Sequence, residues 1–288
     1  MTVKIATAQY DISFLTHWQA YHDKISQWVL NAVQHHAKIL LFPEYASMEL
    51  ASLFGPEIYT SLSKQLEAMQ TLRADYLRLF QQLAQTHDCL IVAGSFPVQM
   101  PSGEYHNRAD VFMPDGSIDF QDKLMMTRFE NEQWLIKSGQ QLKTFDSVYG
   151  KIAINICYDS EFPLLARQQV SAGANLILVP SCTDTVAGFH RVKIGCQARA
   201  LENQCYVAQA CLVGTAPWSE AVDVNIGAAA IYTPVDRGFP DNGILASGEL
   251  NAVQWVFADI ALADCETVRA QGQVFNYRDW PLQVQHMK

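Results

Sequence analysis

Apolar residues recur along this chain with two periods that take turns. Val3–Gln9 alternates and is β-rich, which predicts a strand. Trp18, Tyr21, Ile25, Trp28, Val29, Ala32 and Val33 then recur at helical spacing. Lys38–Phe42, closed by Pro43, is the kind of short apolar run that forms a buried strand. A stripe through Leu62, Leu66, Met69, Leu72, Tyr76, Leu79 and Leu83 predicts a long helical stretch over 58–87. Leu90–Phe96 reads as a strand. Ala109–Met113, the turn Pro114-Asp115-Gly116 and Ser117–Gln121 read as a hairpin. The alternation resumes with strand Lys151–Ile156, helix Pro163–Ala172 ended by Gly173, strand Ala174–Val179, helix Phe189–Leu201 and strand Gln204–Leu212. Ala228–Tyr232 and Ala252–Asp259 are further strands. Helix–strand alternation with an inserted hairpin predicts an α/β fold layered around a mixed sheet. No repeat, charge block or low-complexity linker divides residues 1–288, so one domain is expected. The tail from about residue 265 shows no clear period and is expected to pack on the body or on a second subunit.

Composition narrows the function classes. Hydrophobic residues make up 49% and charged residues 17%, the balance of a globular chain. The net charge of −9 argues against a nucleic-acid partner and against a polybasic membrane patch. Apolar runs such as Cys89–Gly94 and Leu176–Pro180 are far too short to span a membrane. The seven cysteines include no C-x-x-C pair, and most fall in apolar strands, which suits reduced, buried thiols. With an opening Met-Thr-Val-Lys-Ile-Ala that lacks the shape of a signal peptide, a cytoplasmic protein is expected. The eight histidines form no pattern such as H-E-x-x-H, so neither metal nor other cofactor is expected. His35-His36 reads as a solvated helix face.

Three positions carry candidate chemistry. Cys157 ends the strand Lys151–Ile156 just before a helix begins, a corner that presents a side chain at the carboxyl edge of a sheet. A helix start nearby would favour its thiolate. The plainer reading is a buried structural thiol. Glu44 follows Ile39-Leu40-Leu41-Phe42-Pro43, and a lone Glu there is most often a surface charge. Lys123 follows the hairpin, where a solvated partner of Asp122 is the ordinary expectation. A thiol near its free pKa of roughly 8.5 needs a base to act as nucleophile, and an oxyanion needs donors in a dry pocket. Glu44 and Lys123 are the residue types that meet those needs.

With Phe42-Pro43-Glu44, Asp122-Lys123 and Cys157-Tyr158-Asp159 each closing a strand, the chain resembles the nitrilase superfamily of carbon–nitrogen hydrolases. The resemblance extends from Lys4-Ile5-Ala6-Thr7-Ala8-Gln9 to about Asp259. It includes Gly94-Ser95-Phe96, Asn107-Arg108-Ala109, Gly173-Ala174-Asn175-Leu176-Ile177 and Arg199-Ala200-Leu201-Glu202-Asn203. It implies a four-layer αββα sandwich that associates through helices into a homodimer or a higher even-numbered homo-oligomer. It also implies Glu44 as general base, Cys157 as nucleophile and Lys123 as oxyanion stabiliser, with a thioester intermediate. The Tyr158 N–H could be a second oxyanion donor. Family members often carry a second Glu between the Lys and a Gly. Glu130 and Glu132 compete for that place, and Glu132 matches the family spacing to Gly139.

The resemblance implies a small-molecule substrate: a small linear amide, or a carbamoyl amine or amino acid handled by the same triad. Relatives acting on ω-amides of keto acids look like Cys-Tyr-Asp-x-Arg-Phe, whereas Glu161 stands here at the Arg position. That speaks against an anionic substrate if Glu161 faces the pocket, and for nothing if it only serves the following helix. A nitrilase is disfavoured because Tyr158-Asp159 stands where Trp-Glu is usual. The Tyr158–Pro163 stretch resembles a subgroup some of whose members are fused to an acetyltransferase domain. Cys182 is placed near the pocket, and Pro217-Trp218 is either an aromatic wall or a packed loop. A catalytically silent binding protein on the same fold is the alternative outside enzymes.

Overall fold

A computed structural model of the chain describes residues 1–287. Its first half runs β1 (Val3–Asp11), α1 (Trp18–Gln34), β2 (Ile39–Leu41), α2 (Pro56–Tyr59), α3 (Leu62–Met69), α4 (Arg73–His87), β3 (Leu90–Val92), β4 (Phe96–Gln99), β5 (Tyr105–Phe112), β6 (Ile118–Asp122) and β7 (Ile136–Lys137). Then come β8 (Thr144–Ser147), β9 (Gly150–Ile154), α5 (Pro163–Ser171), β10 (Leu176–Ser181), α6 (Val186–Asn203) and β11 (Tyr206–Thr215). The chain closes with β12 (Val224–Asn225), β13 (Ala230–Tyr232), β14 (Ile244–Ser247), β15 (Gln254–Ile260), α7 (Ala263–Gln271) and α8 (Asn276–Asp279).

The strands hydrogen-bond in the order β4-β5-β3-β2-β1-β11-β10-β9-β8. β1 lies at the centre, parallel to β2 and β11 and antiparallel to β15. The pleat explains how this sheet makes four layers. Tyr10, Leu40, Phe42 and Ile91 face the helices α1 and α4, while Ile5, Ile39, Leu41, Leu90 and Val92 face inward. There they share a core with Ile152, Ile154, Leu176 and Val207 of the other half, which α5 and α6 cover. The sheet thus curls into two facing leaves with helices outside each, an αββα sandwich. Strands buried on both faces need apolar side chains at every position, hence the unbroken run Leu176–Val179. Among the described residues no helix is long and apolar enough to cross a membrane.

Two predicted elements are subdivided. The helical stretch over 58–87 is three helices, because the Ser61 side chain caps a new start at α3 and a tight turn at Gln70–Leu72 precedes α4. The apolar stripe misses these breaks because every piece packs on the same core. The predicted strand Leu90–Phe96 stops at Val92. Gly94 has φ +75°, and a Cβ there would sit 2.0 Å from the Pro43 carbonyl oxygen. The tail has structure and lies on the body. Arg269 donates to Asn175 Oδ1 at 2.6 Å and to the Asn203 carbonyl, and Arg167 stacks 4.5 Å from the Tyr277 ring centroid.

Candidate active site

Three strand ends meet at the carboxyl edge of the sheet. Glu44 leaves β2 through Pro43, and the next residue, Tyr45, turns the chain with φ +58° into a buried 3-10 segment, Ala46–Leu53. Lys123 follows β6, its backbone held by the Asn107 carbonyl at 2.8 Å and by the Gly139 N–H at 2.8 Å. Cys157 opens a 3-10 turn, Cys157–Glu161, with φ +49°, a left-handed conformation that costs energy for a side-chain-bearing residue. Neighbours enforce that turn. Ser160 Oγ donates to the Cys157 carbonyl at 2.6 Å, and Arg199 of α6 donates to the Ser160 carbonyl at 3.1 Å.

The side chains converge. Lys123, 1% exposed, donates to Glu44 Oε1 at 2.8 Å and to Glu130 Oε2 at 2.6 Å. Asn107 Nδ2 donates to Oε1 of both carboxylates, at 2.9 Å to Glu44 and 3.3 Å to Glu130. The Cys182 peptide faces both reacting groups: its N–H donates to Glu44 Oε2 at 3.1 Å, and its carbonyl accepts from the Cys157 thiol at 3.6 Å. These residues floor a cavity of about 550 Å³. Tyr158, Glu161 and Cys182, the residues expected to meet substrate, all line it. Glu161 faces Arg191 across 3.8 Å, and the side chain makes no capping bond to α5.

The expectation for the second carboxylate is corrected. Glu130, not Glu132, reaches Lys123. Residues 130–134 form a π turn that buries Glu130 and Trp134 together and points Glu132 outward, where it pairs with Arg128 at 2.8 Å. Counting residues back from Gly139 cannot detect that irregular turn. Trp218 is a packed side chain, edge-on to Phe14 at 5.8 Å, and not a cavity wall.

The carbon–nitrogen hydrolase family model matches residues 4–270. A probable hydrolase, YhcX, of Bacillus subtilis (strain 168) is 34% identical over 99% of this chain. The chain belongs to the carbon–nitrogen hydrolase family. It spans only 55% of the length of YhcX. Human omega-amidase NIT2 is 26% identical, covering 91% of this chain and 90% of its own. Among solved structures, the C. elegans NitFhit protein superposes with a TM-score of 0.79 at 22% identity, covering 98% of this chain and 66% of its own. Saccharomyces cerevisiae Nit3, of branch 10 of the nitrilase superfamily, superposes with 0.75 at 21% identity, covering 93% of each chain. The expected sandwich is the fold these proteins share.

In this chain the two buried carboxylates differ. Burial pushes the Glu44 carboxyl above the usual range, against the pull of the Lys123 ammonium. Burial acts on Glu130 too, but there Lys123, the Tyr45 hydroxyl at 2.6 Å and the Thr127 N–H at 2.9 Å outweigh it and hold the carboxyl low. The surroundings thus push the two carboxyls in opposite directions, Glu44 up and Glu130 down. Burial, then the Glu44 charge, pushes the Cys157 thiol well up, with Lys123 opposing. The expected help from a helix start does not outweigh burial. Asn107 and Tyr45 were not singled out as site residues, although Asn107-Arg108-Ala109 stood out as a matching stretch. Neutral side chains gain meaning only once the carboxylates they touch are placed.

Proposed function

We propose that the chain hydrolyses a small linear amide through a thioester on Cys157. What carries this reading is the convergence of Glu44, Lys123 and Cys157 on the floor of one cavity, with Cys157 presented there by a left-handed turn at a strand end. Glu44 takes the thiol proton as Sγ attacks the carbonyl carbon. The carbonyl oxygen becomes an oxyanion. Two of the three Lys123 protons are committed to Glu44 and Glu130, which leaves the third to donate, alongside the Tyr158 N–H. On collapse the C–N bond breaks and protonated Glu44 gives its proton to the leaving nitrogen, releasing ammonia or an amine. Water then enters, loses a proton to Glu44 and attacks the thioester. The C–S bond breaks, the acid leaves, and Cys157 regains its proton. The carbonyl of Cys182 orients the thiol toward Glu44 and the cavity.

The substrate reading favours neutral or cationic amides. Glu161, Asp184, Glu220 and Asp223 line the cavity against Arg128 and Arg191. This sets the chain apart from the relatives that bear the omega-amidase name. A cytoplasmic homo-oligomer of even number, associating through the outer helices, belongs to the same reading. The test is a panel of amides, carbamoyl compounds and nitriles screened for ammonia release, with Cys157→Ala as control. Cys157-dependent release from amides supports the reading. Carbon dioxide released with the ammonia would move it to carbamoyl hydrolysis, and no Cys157-dependent release from any compound would sink it.

A further inference from the structure

Asp159 stands two residues beyond the nucleophile and is 1% exposed. Its side chain makes no hydrogen bond to those of Glu44, Lys123 or Glu130. Instead its carboxylate accepts backbone N–H groups from two separate strand ends. Oδ1 takes Leu124 at 3.1 Å and Met125 at 2.7 Å, the two residues that follow Lys123. Oδ2 takes Ile156, the residue that precedes Cys157, at 3.1 Å, and shares Leu124 at 3.3 Å. No strand ladder joins these two segments. β6 ends at Asp122 and pairs with β5, while β9 ends at Ile154 and pairs with β8 and β10. Lys123 and Cys157 thus arrive from different parts of the sheet, and the carboxylate spans the gap between their backbones.

Resting on the hydrolytic reading above, we propose that Asp159 is a positioning residue that fixes the Lys123 ammonium relative to the Cys157 thiol, so that the oxyanion forms within reach of its donor. A buried carboxyl that accepts several N–H groups is a stiff joint, because those donors favour its charged, strongly accepting form against the burial that pushes its pKa up to about 7. Its purpose is geometric: a donor misplaced by about 1 Å at a reacting centre can cost a hundredfold in rate. The distance it controls matters to one kind of step. Attack on an amide carbonyl creates an oxyanion and needs Lys123 in place. Alkylation of the same thiol by iodoacetamide displaces iodide at an sp³ carbon and creates no oxyanion, so it depends on Lys123 only through the charge that favours the thiolate.

That difference is the test. Asp159→Asn keeps the shape but presents one oxygen and one amide, so it can accept from one segment and must oppose a donor to the other. We expect the kcat for the best amide of the panel to fall about 10- to 100-fold with KM changed less than about threefold. The second-order rate of Cys157 alkylation by iodoacetamide should change less than about threefold, since that step needs the thiolate but no oxyanion donor. Asp159→Glu, which keeps both oxygens but shifts them along the side chain, should show the same split and serves if the Asn variant fails to fold. Wild-type turnover in a folded variant overturns the proposal. So does a parallel loss of turnover and alkylation, which would make Asp159 a general prop for the corner. If instead the wild-type enzyme shows no Cys157-dependent amide turnover, the hydrolytic reading is what fails.

Discussion

Glu44, Lys123 and Cys157 were legible only together: each alone has an ordinary structural reading, but their ordered placement at three strand ends matches the family pattern. Glu44, Lys123 and Cys157 are all buried and joined through one hydrogen-bonded cluster. Glu132 was misread because a π turn decides which of two nearby carboxylates points inward. Its correction makes a sharp contrast. Glu130→Gln should lose roughly a hundredfold in kcat by releasing the Lys123 ammonium, whereas Glu132→Gln should stay within about twofold. Both are read from steady-state rates on the best amide. Lys123→Ala should cost a hundredfold or more, on the order of one oxyanion donor. Combined with Glu44→Gln it should cost far less than the product of the two losses, since the residues act as a unit. A double variant whose losses multiply would place them in separate roles. The acid limb of kcat/KM follows from Glu44. It must be ionised to act, and burial raises its carboxyl, so activity is lost as pH falls through a value above that of free Glu. The Glu130 charge is one of the causes of that rise. The limb in Glu130→Gln should therefore move to lower pH, and a shift upward would contradict the arrangement.

Elements were legible where a single period ran unbroken, as in β1, α1, β10 and α6, and blurred where a turn depends on a contact distant in sequence. Gly94 shows why. Nothing local marks it as a strand end; the Pro43 carbonyl does, from across the leaf. Gly94→Ala combines a left-handed φ with a collision against the backbone next to Glu44. It should lower the unfolding midpoint and reduce kcat together, whereas Gly103→Ala, at φ +88° but with nothing for a Cβ to meet, should cost only the backbone strain and leave kcat unchanged. A second element property is the support beneath the Glu44 turn. Glu49 in the segment Ala46–Leu53 is 0% exposed, bound to Lys24 at 2.5 Å, Tyr10 at 2.6 Å and the Ser13 N–H at 2.6 Å. Burial raises its carboxyl to about 7, against those partners. An acid with a raised folded pKa contributes stability that is full below its unfolded value and lost as pH rises through the folded one. Between pH 5 and 8 the wild type should therefore lose stability relative to Glu49→Gln, by up to about 1.4 kcal/mol per pH unit. Urea unfolding of both proteins across that range measures it, and a constant difference would show that Glu49 ionises in the fold as it does in water.

At the scale of the molecule, the alternation of periods pointed to α/β layers around a mixed sheet and the family resemblance implied four of them, but the curling of the sheet was not legible in the pattern, because closure depends on pairings such as β1 with β11 that join distant parts of the chain. The outer layer of α5 and α6 exposes Leu164, Ile194 and Leu201 at 71%, 64% and 42%. In the proposed homo-oligomer a second copy covers them. Sedimentation should give an even multiple of the chain mass, and Ile194→Lys should lower it. A monomer at all concentrations would remove that part of the reading. Charge is the other whole-molecule property with a functional consequence. The chain carries −9, and Glu161, Asp184, Glu220 and Asp223 outnumber Arg128 and Arg191 around the cavity. Such a field draws cations and repels anions on approach, and salt screens it. Inside, Glu161 keeps its charge partly offset by Arg191, so an anionic substrate group must displace that pairing or sit against a carboxylate. For amides of matched size, kcat/KM should rank cationic and neutral above anionic at low salt. Added salt should raise the anionic value and lower the cationic one. Glu161→Arg should narrow or reverse the ranking, because the cavity would then hold two guanidinium groups side by side. If ranking and salt response are the same in both proteins, the charge of this cavity does not select the substrate, and selection must come from its shape.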